Sequence, residues 1–430
     1  MEKVFLESVD NYKLSLAVFA CEKPKAVVQI IHGMQEHKER YFKFSEFLNA
    51  SGYAVVVADL RGHGEDAPAL GHIADKKGED LIIEDQNKIY EYIKGRFGDV
   101  PVYLLGHSMG SIIARVLMQE YSKNYAKIAL SGYVSPNPIS GVAVFIGNLK
   151  KSFNRGKKNS KMLASLALGP YTKAVKDRKS DLDWLSYNEE NVKNYYDDPL
   201  SGIPFSNGSF SSLFHLLNYM GKAKRYTNVN EDVPILLAGG KDDPCTGGEK
   251  GRASSKKVLE KAGFKNISVI TYEGMRHEIL NEKDICCAIS ASGSAYGGAI
   301  YNIRTITDIV DSDFTNNSAT TQGGAIYNTG TITISAASDD SEFSGNTAGG
   351  SLNDIYNTGT MTVRANDGYN VSFEGTIEGT GPDFKRYTAR INNTMDTKFI
   401  KFRTSFVYSH SDQNSQTILN VNEYIQGLYG

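Results

Sequence analysis

The sequence predicts an α/β fold: a mostly parallel sheet with helices on both faces and an inserted cap. A short right-handed parallel β-helix-like all-β region follows it. Three observations carry this. Short apolar runs alternate with helical patterns up to about residue 131 and again from 234. One of those runs ends in Gly106-His107-Ser108-Met109-Gly110. The hexapeptide Gly-Gly-Ala-Ile-Tyr-Asn at 297–302 returns at 323–328.

A chain of 430 residues with 40% hydrophobic content has room for two or more domains. A net charge of −2 argues against a nucleic-acid binder. The charge is unevenly spread. Residues 285–430 carry 8 Lys+Arg against 14 Asp+Glu, whereas residues 1–284 carry 39 against 35. We therefore divide the chain into 1–289, with a cap over about 132–230, and 290–430. Cys21, Cys245, Cys286 and Cys287 have neither metal-ligand spacing nor the pattern of a disulfide framework. The N-terminal stretch lacks the apolar core of a signal peptide, and no run approaches the ~20 apolar residues of a membrane span. The expectation is a cytoplasmic chain without an integral membrane segment. Nothing in the sequence fixes an oligomeric state.

Residues 4–9 and 14–19 alternate as an opening hairpin, with Asp10-Asn11 at its turn. The continuous apolar runs at 26–31 and 54–58 fit central strands covered on both faces. The first leads into His32-Gly33-Met34-Gln35-Glu36-His37 and a helix over 40–50. The second leads into Asp59-Leu60-Arg61-Gly62-His63-Gly64. His32 reads as a structural hydrogen-bonding residue, and the charges of 59–64 as pins between loops. Residues 81–96 have helical spacing. Residues 102–105 form a strand, 112–118 a buried helix and 127–131 the next strand.

Alternation breaks over 132–230. Lys150, Lys151, Arg155, Lys157, Lys158 and Lys161 form a basic run there, either a solvated helix face or an attractor for an anionic head group. Tyr187, Tyr195, Tyr196, Phe205, Phe210, Phe214 and Tyr219 supply aromatics that would cover an acyl chain. Strands resume at 234–238 and 267–272, with a helix over 250–262 between them.

Strand, sharp turn and helix are the context in which Gly-x-Ser-x-Gly makes a nucleophile elbow, with Ser108 held in a strained conformation. Gly106 and Gly110 leave room where a side chain would meet the adjacent strand or helix. Asp242-Asp243 follows the strand at 234–238, and His277 follows the strand at 267–272. A serine hydroxyl is a poor nucleophile at neutral pH; His277 would take its proton, and Asp243 would orient and stabilise the imidazolium. Asp242 is the rival acid. The N–H groups of Met34 and Met109 are the candidate oxyanion donors.

Together His32-Gly33-Met34-Gln35-Glu36-His37, Asp59-Leu60-Arg61-Gly62-His63-Gly64, Gly106-His107-Ser108-Met109-Gly110 and Gly274-Met275-Arg276-His277-Glu278 resemble one family. It is the lysophospholipase and monoacylglycerol lipase-like group of α/β-hydrolases, often catalogued with the serine aminopeptidases. The resemblance covers about 1–284. It implies Ser108 as nucleophile, Asp243 and His277 as its partners, and a glycerol or lysophospholipid ester as substrate, with no metal or organic cofactor. One departure stands out. The group usually continues into a full closing helix after this histidine, whereas here 278–289 must serve, and it contains Cys286-Cys287.

In the second part, Asp354-Ile355-Tyr356-Asn357 is a further copy of the repeat, and Phe314-Thr315-Asn316-Asn317 and Phe343-Ser344-Gly345-Asn346 lie between copies. A period of this size signals a solenoid in which each repeat is one coil. The Gly-Gly-Ala-Ile and Phe-x-x-Asn pattern over about 293–381 resembles the parallel β-helices of autotransporters and polymorphic outer-membrane proteins. Residues 399–408 and 417–421 are further strand candidates. The region reads as an adhesive or spacer domain, or as a fragment that supports nothing catalytic. A chimeric gene joined near Cys286-Cys287 would explain the fusion. Three functions remain open from sequence: a lipid-ester serine hydrolase, a serine aminopeptidase, and an inert hydrolase domain fused to a surface β-helix. An acidic site in the cap, for a substrate amino group, would favour the second.

Overall fold

The structure is a computed structural model. It describes residues 1–379 apart from 138–139, 153–154, 273, 283–287, 290–293, 303–304, 311, 313, 316, 337–339 and 367, together with the backbone of Asn393–Thr397 and Ile400–Thr404. The chain divides into two compact units, Met1–Ile285 and Cys286–Gly430.

The first unit is built on an eight-stranded sheet: β1 (Glu2–Glu7), β2 (Lys13–Phe19), β3 (Val27–Ile31), β4 (Ala54–Ala58), β5 (Val102–His107), β6 (Lys127–Ser131), β7 (Ile235–Gly240) and β8 (Ile267–Tyr272). Their spatial order is β1-β2-β4-β3-β5-β6-β7-β8. The β1–β2 and β2–β4 pairs are antiparallel, and every pair from β4 to β8 is parallel. Every residue of β3 and β4 is buried, as their continuous apolar runs require. The one polar residue there, Gln29, is satisfied: its amide donates to Gln86 O at 3.0 Å and accepts from Tyr125 Oη at 3.1 Å.

Four helices flank the sheet: α1 (Phe42–Ala50), α2 (Gly78–Phe97), α3 (Met109–Tyr121) and, after the cap, α8 (Gly248–Lys261). The cap carries α4 (Ser140–Lys151), α5 (Lys161–Ala174), α6 (Glu189–Asp197) and α7 (Asn207–Met220). Ser160 and Ser206 cap α5 and α7, accepting from the N–H of Leu163 and Ser209. Among the described residues no helix is long and apolar enough to cross a membrane.

The charges of the 59–64 loop pin neighbouring loops. Arg61 bonds Asp85 through Nε at 2.6 Å and Asp10 through both Nη atoms at 2.7 Å. Lys38 Nζ meets Asp59 Oδ2 at 2.6 Å. His32 is structural in the same sense, accepting from Leu60 N–H at 2.9 Å.

In the stretch expected to close the fold as a helix, the described residues are not helical. Residues 278–282 run as turns, 283–287 lie outside the described residues, and Ala288–Ile289 form a short strand. Glu282 explains the turn. Its carboxylate folds back to accept from Arg276 N–H at 2.9 Å, Tyr187 N–H at 3.0 Å and Ser186 Oγ at 2.7 Å.

In the second unit, three stacks of parallel strands repeat, in register apart from a shift between Ile306 and Ile309. Ile300–Asn302 pairs with Ile326–Asn328, which pairs with the end of Ser351–Asn357. Thr305–Val310, Thr331–Ala336 and Thr360–Ala365 form the second stack; Phe314–Thr315, Ser341–Ser344 and Val371–Phe373 form the third. Ile300, Ile326 and Ile355 are buried over one another, and Phe314, Phe343 and Phe373 stack at 4.6 and 4.7 Å between centroids. A Cβ on Gly324 would lie 2.2 Å from Asn353 O, which is why glycine recurs there. Asn393–Thr397 and Ile400–Thr404 pair as an antiparallel hairpin; 417–421 lies outside the described residues.

Candidate active site

Ser108 sits between β5 and α3 with φ 53° and ψ −118°, left-handed backbone that costs a non-glycine residue energy. The neighbours hold it there. Its N–H donates to Ser131 O at 3.1 Å, and its carbonyl accepts from Ser111 Oγ at 2.6 Å. A Cβ on Gly110 would lie 2.0 Å from Ile31 O, and one on Gly106 2.5 Å from Gly110 O. Only glycine on both sides lets the turn close this tightly.

His277 follows β8 and is 1% exposed. Its Nδ1 lies 3.0 Å from Asp243 Oδ2. Asp243, after β7, is fixed in turn by Cys245 N–H, which donates to Oδ1 at 2.8 Å. The rival Asp242 points elsewhere, accepting from Tyr187 Oη at 3.0 Å. Burial works to lower the His277 pKa, but the Asp243 carboxylate, with Glu278 and Glu36 nearby, works the other way and the net shift is upward. The other ring nitrogen, Nε2, is buried and among the described residues has no hydrogen-bond partner. The imidazole lies between the His107 and Trp184 rings, each 4.9 Å away between centroids.

Ser108, His277, Met34 and Met109 line one cavity of about 220 Å³. Met109 is the first residue of α3, so its N–H has no acceptor within the helix. Met34 lies on the loop after β3. That loop is clamped through Gln35, whose left-handed backbone (φ 60°) is held by Gly202 N–H and Tyr195 Oη, both donating to its carbonyl at 2.8 Å. The rest of the lining is largely apolar, with Leu168, Leu182, Leu185, Leu213 and Leu217 from the cap region.

Of the seven cap aromatics singled out in the sequence, only Tyr195 lines this cavity. Phe205, Phe210 and Phe214 pack into the core, and Tyr196 is 78% exposed. Their aromatic role in the cavity falls to Tyr171 and Trp184, whose rings are 5.4 Å apart. No periodicity marks these two; Trp184 is distinguished only as the single tryptophan.

Arg40 was also not legible as a site residue. It bonds Glu278 bidentately at 2.7 and 2.8 Å and Glu36 at 3.0 Å, and lies over the Tyr195 ring. Glu36 in turn accepts from Gly33 N–H and from Tyr41 Oη. One buried guanidinium thus ties the Met34 loop to the His277 loop. The i,i+4 spacing of Glu36 and Arg40 was the available signal.

Cys245 brings a third potential metal ligand beside Asp243 and His277, all within 4.8 Å. Burial, and the Asp243 carboxylate beside it, raise the thiol pKa well above its ordinary value. In the apo site the thiol therefore stays protonated.

This sheet, elbow and cap define an α/β-hydrolase, and the chain belongs to the family described as serine aminopeptidase, S33, which matches residues 22–284. It is 28% identical over 263 residues to phospholipase YtpA of Bacillus subtilis, covering 61% of this chain and 92% of that protein. It is 27% identical over 263 residues to human monoglyceride lipase, covering 60% and 77%. A thermostable carboxyl esterase from Bacillus coagulans shares the fold, with a TM-score of 0.62 at 23% identity over 66% of this chain and 93% of that one. In the second unit, residues 311–329 match the Chlamydia polymorphic membrane protein repeat.

Proposed function

We propose that the protein is a carboxylic ester hydrolase that cleaves lipid-like esters, a monoacylglycerol or lysophospholipid, through an acyl-enzyme on Ser108. One observation carries the reading: His277 is held by Asp243 through Nδ1, while its buried Nε2, without a partner among the described residues, lies in the cavity that Ser108 lines. The relatives' names, a phospholipase and a monoglyceride lipase, support the substrate class.

His277 Nε2 accepts the Ser108 proton as Oγ attacks the ester carbonyl carbon. The N–H groups of Met34 and Met109 receive the developing oxyanion, an effect worth about 3 kcal/mol per donor. Collapse expels the alcohol, which takes the proton from His277. Water then repeats the sequence and releases the fatty acid. The leucines of the cap region suit an acyl chain, since each buried CH₂ contributes about 0.8 kcal/mol.

The aminopeptidase reading needs a cap carboxylate to hold a substrate ammonium. Asp181 lines the cavity, but its side chain is 85% exposed, where water weakens such a pair. A fluorophosphonate probe tests the proposal together with a panel of monoacylglycerols, lysophospholipids and aminoacyl amides. Labelling lost in Ser108→Ala, with turnover of the esters, supports it; a folded protein that never labels, or that turns over only amides, overturns it. For the second unit, the in-register stacks support a short right-handed β-helix acting as a spacer or surface module.

A further inference from the structure

We propose that Trp184, carried by the cap, is a positioning residue for His277: its indole fixes the tilt of the imidazole and stabilises the imidazolium formed when Ser108 gives up its proton. The inference rests on the ester-hydrolase reading and adds a member to its machinery.

Two observations carry it. The first is a pair of rungs. Arg276 Nη1 donates to Asp183 O at 2.6 Å, and Glu278 N–H donates to Leu185 O at 2.7 Å. The residues on either side of His277 are thus bonded to the residues on either side of Trp184. Glu282 ties down the same cap segment further along, accepting from Tyr187 N–H at 3.0 Å and Asn188 N–H at 3.2 Å. The second is the ring contact. The indole lies 4.9 Å from the imidazole between centroids, with 47° between the planes, and is only 8% exposed. Tyr171 of α5 packs on the indole at 5.4 Å, so the ring has little room to turn.

Plain packing would need only an apolar side chain at this place. Tryptophan adds an electron-rich face that attracts a cation, most strongly where water is excluded. His277 is buried and becomes that cation in the acylation step. The other groups around it leave this role open. Asp243 bonds Nδ1, with the Cys245 thiol beside its carboxylate. One hydrogen bond at Nδ1 holds an edge of the ring but not its tilt, and the tilt sets the direction of Nε2. Glu36 and Glu278 add negative charge from the loops after β3 and β8, offset by the Arg40 guanidinium that pairs with both. His107 packs on the imidazole at 4.9 Å, but burial and the His277 charge lower its pKa to about 4, so that ring is neutral at working pH.

Trp184 is the chain's single tryptophan, which allows a test that alters no other residue. Fluorinated tryptophan, supplied while the full chain is expressed, draws electrons from the indole face and barely changes its shape. The His277 pKa is read from its Cε1–H proton resonance, assigned by its loss in His277→Gln, and the reading needs no turnover. Trifluorotryptophan should lower that pKa by about half a unit, and Trp184→Leu by about one unit. On a short soluble ester, Trp184→Leu should lower kcat about tenfold with little change in KM, and move the acid limb to lower pH. Trp184→Phe, which keeps an aromatic face, should recover most of both effects. The fluorinated chain carries the test if Trp184→Leu fails to fold. Three results would overturn the proposal: a His277 pKa indifferent to fluorination, a loss in Trp184→Leu confined to KM, or Trp184→Phe no better than Trp184→Leu. A wild-type chain that never labels with a fluorophosphonate counts against the ester-hydrolase reading instead, since the titration reads the ring contact separately.

Discussion

The two units satisfy their buried polar groups in opposite ways. In the first, several buried charges close on unlike residues far along the chain: Arg61 on Asp10 and Asp85, Lys38 on Asp59, Arg40 on Glu278. In the second, a ladder of buried asparagines meets its own copies one repeat on, as Asn302 meets Asn328 and Asn328 meets Asn357. Unlike partners from distant segments converge on one point, which is what a catalytic geometry requires. Like partners in register make a uniform ladder, stable and extendable; beside it, the buried Asp354 accepts from Asn346 and from Gly375 N–H. The described residues of the second unit include no histidine.

The largest test of this contrast is Ser108→Ala. It should lower ester turnover by about a millionfold, to the level of the remaining binding and oxyanion contacts, with no comparable loss of stability. Next, Asp243→Asn should cost about ten-thousandfold in kcat, whereas Asp242→Asn, whose partner is the half-exposed Tyr187, should change it little. Their pH profiles sharpen the point. The His277 pKa is raised above 6.5, so the ring stays protonated to higher pH and cannot accept the Ser108 proton. The acid limb of kcat/KM should therefore have its midpoint above 6.5. Asp243→Asn removes the attraction and leaves burial, so the limb should move to lower pH. An Asp242→Asn variant that loses both rate and limb would reverse the assignment.

Legibility follows the same division. The sheet was readable because its strands are buried on both faces and so are nearly unbroken in apolar residues, as in Val27–Ile31 and Ala54–Ala58. The elbow was readable because close packing at Gly106 and Gly110 leaves no alternative to glycine. The repeated strands of the second unit were readable because stacking in register repeats residues themselves. The cap was not. Trp184 and Tyr171 reach the cavity through tertiary packing that has no sequence period, and the more conspicuous Phe205, Phe210 and Phe214 are core. Over the described residues 278–282 the expected helix is absent for a related reason: Glu282 bonds backbone N–H groups of the 186–188 segment and Arg276, a long-range choice that helical propensity does not register.

Arg40 gives the third test. Glu278→Ala would leave a guanidinium, only 10% exposed, with half its carboxylate partners. Breaking such a buried pair costs about 3 kcal/mol, which should lower the melting temperature of the first unit by about 6 °C or more. Because Arg40 spans the loops of Met34 and His277, kcat should fall as well. A variant with unchanged melting and turnover would show the clamp to be dispensable.

The smallest effect should come from the ladder. Asn328 is fully buried; its amide donates to Asn357 Oδ1 and to Thr360 O at 3.2 Å, and its carbonyl oxygen accepts from Asn302. Asn328→Ala leaves those groups unpartnered, at about 1–3 kcal/mol. In a stack where each coil contacts only its neighbours, the loss stays local. Amide exchange should quicken around Ile326–Asn328 and the coils on either side, while ester turnover and the melting of the first unit stay at wild-type values. Turnover that falls with Asn328→Ala would show that the ladder supports the hydrolase, and the contrast between a convergent unit and a repetitive one would no longer divide function from scaffold.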